Sequence, residues 1–271
     1  MKPLLNITTF ALCLLTMSSF AQKIKGSETV FPLCQKEADN YKKANKDANL
    51  TVTGSGTTAG FAALADGSSD ISMASRKIKE NEQMKLKEGG KSFKEVPIAY
   101  DALAVVVNTN NKISKLTREQ LVSIFIGQIK NWKELGGDDM AIVVYARESS
   151  SPSEFFKEHV LENKNCAETV KNKSNNDAII QAVGQDKGSI GYVGISNLSK
   201  AVKPVEISFD GKTFTSPNVE NVKNKTYPIS RSLYFYYLDT KEKMVKSFID
   251  YVLTSPESQK VIKEEGFVPL K

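Results

Sequence analysis

Residues 53–76 read TGSGTTAGFAALADGSSDISMASR, and this stretch decides the fold. Glycines and hydroxyl residues from Thr53 to Gly60 run into the helix-prone Phe61-Ala62-Ala63-Leu64, and Asp70-Ile71-Ser72-Met73-Ala74 then reads as a strand that ends on Ser75-Arg76. A polar loop, a helix and a strand in quick succession are the building step of an α/β protein. The step recurs outward in both directions, with further strand-like apolar runs at 102–107, 141–146 and 189–193. Thr117 and Gln120 form a capping box, after which Leu121, Ile124, Phe125, Ile129 and Trp132 recur at helical spacing and predict one packed helix. Met244, Val245, Phe248, Ile249 and Val252 predict another amphipathic helix, stopped around Ser255-Pro256.

At 271 residues the chain exceeds a single typical core and suits two lobes. No repeat or flexible linker separates them in the sequence, so the chain is expected to cross between lobes on ordered strands, at 101–108 and 227–237. The expected division is 22–107 with 231–271 for lobe I and 108–230 for lobe II. Residues 1–21 read as a cleaved export signal: Lys2, a short apolar run through Leu15, then Ser19-Phe20-Ala21 before Gln22. That run is too short to span a bilayer. Bulky Leu12 before Cys13 speaks against lipid anchoring, and a periplasmic monomer is expected.

Composition excludes several activities. The 37 basic against 31 acidic residues favour anionic partners only weakly. Lys42, Lys43, Lys46, Lys85, Lys87, Lys91 and Lys94 lie on polar segments without interleaved aromatics, so no nucleic-acid partner is expected. Cys34 and Cys166, far apart, read as two free, buried thiols. One histidine and two distant cysteines make no metal site. His159 follows Ser153 by six positions, which points it away from that serine on a helix, and no Gly-x-Ser-x-Gly elbow exists. The glycines at 54–60 lack the Lys-Ser/Thr ending of a P-loop and miss dinucleotide spacing by one residue. Neither an enzyme nor a cofactor is expected.

Three segments place small or hydroxyl residues directly before a helix: Gly26-Ser27-Glu28-Thr29-Val30-Phe31-Pro32, then 53–60, then Arg147-Glu148-Ser149-Ser150-Ser151-Pro152-Ser153-Glu154. Pro32 suits a first helical turn, with Cys34, Ala38 and Tyr41 as the buried stripe. A helix start carries unpaired N–H groups and partial positive charge, so it holds an anion without a lysine. A dehydrated oxyanion needs many donors, and several converging helix starts supply them. Arg76 and Arg147 add fork-shaped cations.

The ordered set GSETVFP, VTGSGTTAGFAALADGSSDISMASR, LTREQLVSIFIGQIKNWKELGG, VVYARESSSPSEFF and KGSIGYVGI resembles the phosphate-binding, PstS-type proteins of ABC importers over essentially the whole mature chain. That resemblance implies a type II periplasmic-binding-protein fold: two α/β lobes on two hinge strands, with inorganic phosphate buried between them for a membrane ABC permease. Carried over residue by residue, it implies phosphate ligation by Thr29 and Val30, Thr57, Ser75 and Arg76, then Arg147, Ser149, Ser151 and Ser153, with Ser27 as a close neighbour. Two departures stand out. Pro152 lacks an N–H where relatives carry Gly-Ser-Gly-Thr. Arg76 and Ser149 stand where part of the family has aspartates that accept the proton of hydrogen phosphate, leaving Glu28 and Glu148 as candidate acceptors. The alternative is a binder of a sulfate-like oxyanion, or a phosphate-sensing or adhesion relative with a decayed site.

Overall fold

The computed structural model describes residues 21–148 and 150–270. Ser149 and, except for Ala21, the expected export signal lie outside the described residues. Strand and helix alternate from the start: β1 (Gln22–Gly26), α1 (Phe31–Ala44), β2 (Leu50–Gly54), α2 (Thr57–Asp66), β3 (Ile71–Ala74), α3 (Glu80–Glu88) and the long β4 (Phe93–Asn108). Next come β5 (Lys115–Thr117), α4 (Arg118–Phe125), β6 (Val143–Arg147), α5 (Ser151–His159), β7 (Lys171–Lys173), α6 (Asn176–Gln185), β8 (Ser189–Gly194), β9 (Val202–Pro204), β10 (Glu206–Ser208) and α7 (Val219–Lys223). The chain then returns on β11 (Ser230–Leu238) and closes with α8 (Glu242–Thr254), α9 (Pro256–Glu264) and β12 (Val268–Pro269).

One curled sheet carries the order β2-β1-β3-β11-β4-β8-β6-β7. At one end β2, β1 and β3 are parallel, and at the other β8, β6 and β7 are parallel. The antiparallel pair β11 and β4 joins the two blocks. Its first half pairs β4 with β11, while residues 103–108 turn to β8 and β9 and are buried throughout. Two lobes on two shared strands result.

Apolar packing follows the same division. Ile24, Leu33, Cys34, Ile71, Phe235 and Phe248 belong to one core, Leu121, Phe125, Phe156, Ile190 and Tyr192 belong to a second, and Phe61, Leu64, Ala74 and Tyr236 form a third, smaller cluster. Residues 102–107, assigned from sequence to lobe I, pack in the second core, because β8 and β9 cover that half of β4. Phe156 stacks on Tyr192 with ring centroids 4.1 Å apart behind the start of α5. Truncating such a buried ring costs about 3–5 kcal/mol, so this helix is anchored by its core.

Local signals held where chemistry acts within one turn. Thr117 Oγ1 accepts from the Gln120 N–H, and Gln120 Oε1 accepts from the Thr117 N–H at 2.8 Å. The helix they open is nevertheless shorter than the apolar spacing predicts: α4 ends at Phe125, and Gly127 takes φ +78°. Ile129 and Trp132 therefore lie beyond the helix, with Trp132 Nε1 donating to the Gly188 carbonyl at 2.8 Å. Pro256 both ends α8 and opens α9, since proline fits a first turn but not an interior. Cys34 is buried as expected, but Cys166 is exposed because it falls in the polar loop after α5. No helix among the described residues is long and apolar enough to cross a membrane.

Candidate anion-binding cleft

Parallel strands deliver their carboxyl ends to one edge of a sheet, and ligands of open α/β folds lie there. The ends of β1, β2 and β3 release Ser27 to Thr29, Ser55 to Thr58, and Ser75-Arg76. From the other lobe, β6 ends on Arg147 and α5 opens at Ser151. The first three segments and Ser151 line one cleft of about 770 Å³, which includes Ser27, Glu28, Thr29, Thr57 and Ser75. An adjoining cavity of about 320 Å³ shares Glu28, Thr29 and Ser151 with it and adds Arg147 and Asn176. Donors from both lobes thus face two adjoining cavities that share Glu28, Thr29 and Ser151 in their walls.

The first wall is internally bonded. Gly26 takes φ +143°, and any side chain there would strike the Met73 carbonyl, so only glycine lets β1 turn beside β3 into α1. Thr57 Oγ1 lies 3.3 Å from Ser75 Oγ and accepts from the Ser75 N–H at 3.3 Å, tying the start of α2 to the end of β3. Arg76 donates from Nη1 and Nη2 to the two carboxylate oxygens of Glu82, each at 2.8 Å, and from Nη2 to Thr58 Oγ1 at 3.0 Å. Its charge is therefore spent on a local bidentate pair. Glu28 is exposed, and its carboxylate lies so close over Gly54 that a side chain at that position would collide with it.

The second wall is less satisfied. Arg147 donates from Nη1 to Asn176 Oδ1 at 3.1 Å, and Asn176 in turn donates to Asn197 Oδ1 at 2.8 Å. Tyr192 accepts from the Arg147 N–H at 3.3 Å, and burial raises its phenol well above the ordinary range, so it stays neutral. Arg147 Nε and Ser150 Oγ are buried and find no hydrogen-bond partner among the described residues. Between the walls, Arg231 on β11 pairs with Asp101 on β4 and lies over the Phe155 ring of α5, 4.1 Å from its centroid.

Of the expected site residues, Ser27, Thr29, Thr57, Ser75, Arg76 and Ser151 line the larger cavity, and Arg147 the adjoining one. Three are placed otherwise. Val30 is fully buried and its N–H donates to the Ser27 carbonyl at 3.2 Å, inside the turn that opens α1. Ser153 Oγ donates to the Ser150 carbonyl at 2.9 Å and accepts from the Ser150 N–H at 3.0 Å, so its hydroxyl closes the start of α5. Glu148 is exposed and lines neither cavity, which leaves Glu28 as the carboxylate of the pair that does. His159 is structural: it stacks on Phe155 and its Nε2 lies 2.7 Å from the Pro228 carbonyl. Burial first, then the charges of Arg118 and Arg231, hold its pKa below the usual value.

Sequence reasoning missed Asp101 and Arg231 as site residues. A readable signal existed, since Arg231 is the lone charge of β11 and Asp101 the lone charge of residues 96–108, where an unpaired charge would be costly.

Comparison with known proteins agrees with this fold. A family model described as PBP superfamily domain matches residues 18–257. The chain is 34% identical over 259 residues to protein SphX of Synechococcus elongatus, covering 90% of this chain and 76% of the relative. It is 34% identical over 254 residues to a protein named phosphate-binding protein PstS from Staphylococcus saprophyticus, covering 90% of this chain and 79% of the relative. An ABC-type phosphate transport receptor from Vibrio cholerae superposes with a TM-score of 0.78 at 29% identity, covering 92% of this chain and 99% of the receptor. The chain therefore belongs to the PBP superfamily and, within it, to the PstS-type family.

Proposed function

We propose that this chain is an extracytoplasmic solute-binding protein that captures inorganic phosphate between its lobes and hands it to a membrane ABC permease, without chemistry on the ligand. The single observation that carries this reading is the convergence of hydroxyl-flanked helix starts from both lobes, with Arg147, on two adjoining cavities that share Glu28, Thr29 and Ser151. Thr29, Thr57, Ser75 and Ser151 supply hydroxyl donors, Arg147 supplies a guanidinium with no carboxylate partner among the described residues, and the starts of α1, α2 and α5 supply positive dipole ends. Relatives named for phosphate binding support the choice of oxyanion. Glu28 serves as acceptor for the proton of hydrogen phosphate, a proton that sulfate lacks at neutral pH. Residues 1–21 direct export and are removed, and the mature protein works in the periplasm as a monomer.

Binding proceeds by lobe closure. Phosphate docks on the first wall, and the second wall then swings on β4 and β11 to bring Arg147 and Ser151 against it and expel water. The permease recognises the closed form. The test is calorimetric titration of the purified mature protein with phosphate, with sulfate as competitor, at two pH values. Saturable heat with phosphate, little competition by sulfate, and a preference that tracks ligand protonation are expected; equal affinity for both anions at both pH values would overturn the phosphate assignment.

A further inference from the structure

Arg231 is a cleft residue for which anion capture by helix starts provides no task. It stands on β11, one of the two strands common to both lobes, with its side chain only 17% exposed. Its Nε and Nη2 both lie 2.9 Å from Asp101 Oδ2, on the strand opposite. Nη2 also donates to Thr29 Oγ1 at 3.3 Å, and the guanidinium plane meets the Phe155 ring of the second wall. One group thus touches the hinge, the first wall and the second wall.

The contact with Thr29 has a directional consequence. A threonine hydroxyl holds one proton and two lone pairs. With an Arg231 N–H aimed at the oxygen, the Thr29 proton must point elsewhere, and Thr29 borders both cavities of the cleft. A cationic donor also polarises the hydroxyl, strengthening it as a donor in its own right. Asp101, 4% exposed, keeps the guanidinium in place.

We infer that Arg231 is a positioning residue for the bound anion: held by Asp101 at the hinge, it fixes the Thr29 hydroxyl as a donor into the cleft. This rests on the anion-capture reading above. It goes further, because a purely structural Asp101–Arg231 pair would leave Thr29 free to rotate and would not couple to ligand.

A double-mutant cycle separates the two. Arg231→Lys keeps the charge and a partner for Asp101 but loses the fork that serves both Asp101 and Thr29. Phosphate affinity is measured calorimetrically for wild type, Arg231→Lys, Thr29→Val and the double variant, with thermal melting of each as the control for folding. Each single variant is expected to weaken binding about tenfold, and the double variant no more than about tenfold, because hydroxyl and orienter act as one unit. Losses that multiply to about a hundredfold in the double variant, or an Arg231→Lys affinity equal to wild type, would overturn the relay while leaving phosphate capture intact. A wild-type protein silent to phosphate would remove the capture reading and the relay together. Should Arg231→Lys melt far below wild type, the same cycle run with Asp101→Asn in its place gives the coupling, with the same two outcomes.

Discussion

The two walls of the cleft solve the same problem in opposite states of satisfaction. On the first wall, Arg76 is consumed by Glu82 and the hydroxyls of Thr57 and Ser75 hold one another. On the second, Arg147 keeps a buried Nε without a partner among the described residues, and Ser150 Oγ is in the same condition. Burying a polar group unpaired costs free energy that a correctly placed acceptor recovers. The first wall is a preformed platform, and the second is the part that gains most from a bound anion. Two arginines that look alike in sequence therefore have different jobs.

Arg147→Ala gives the largest expected change. It should weaken phosphate binding about a hundredfold by calorimetry, since it leaves the anion's charge uncompensated in a desolvated site, whereas Lys91→Ala should change nothing. Equal affinities of these two variants would erase the distinction between the walls.

The platform should fail through stability before affinity. Beneath it, α1 carries Glu37, buried against α9, with Ser258 Oγ donating to its Oε1 at 2.8 Å and Oε2 unpaired among the described residues. Burial raises this carboxyl from 4.5 to about 7. The folded state thus favours the protonated form: the contribution is full below the ordinary carboxylate value and is lost as pH rises through about 7. Melting between pH 5 and pH 8 should show a loss of about 2 kcal/mol that Glu37→Gln abolishes. A variant whose pH profile matches wild type would assign the slope to other groups.

Thr57→Val comes next. Removing a hydroxyl that bridges to Ser75 and faces the ligand should cost about tenfold in phosphate affinity. Smallest is Arg76→Ala: because its fork is already taken by Glu82, affinity should change by less than about threefold, while stability falls by about 1 kcal/mol as Glu82 loses its partner. A loss comparable to that of Arg147→Ala would mean that Arg76 leaves Glu82 when the anion binds.

Much of this was legible in the sequence, and the limits have physical causes. Strand–helix alternation, Pro32 and the Thr117–Gln120 box act within a few residues, so they could be read directly. The end of α4 could not: Ile129 and Trp132 keep helical spacing, but Gly127 diverts the backbone and tertiary packing places the indole. At the site, hydroxyls before helices gave the right segments, while the fate of individual donors depended on contacts across the fold. Arg231 and Asp101 lie 130 positions apart and meet only because β11 returns beside β4. Ser153 and Val30 were within local reach, yet their commitment to the turns that open α5 and α1 appears only once those turns are built.

The central claim is that one anion draws the two walls together. Its most direct test is a distance between spin labels at Ala62→Cys and Lys157→Cys, which line the cleft from opposite lobes, in a chain also carrying Cys166→Ser. Phosphate should shorten the distance in wild type but not in Arg147→Ala at the same concentration. Saturable phosphate binding with no change in that distance would contradict the account.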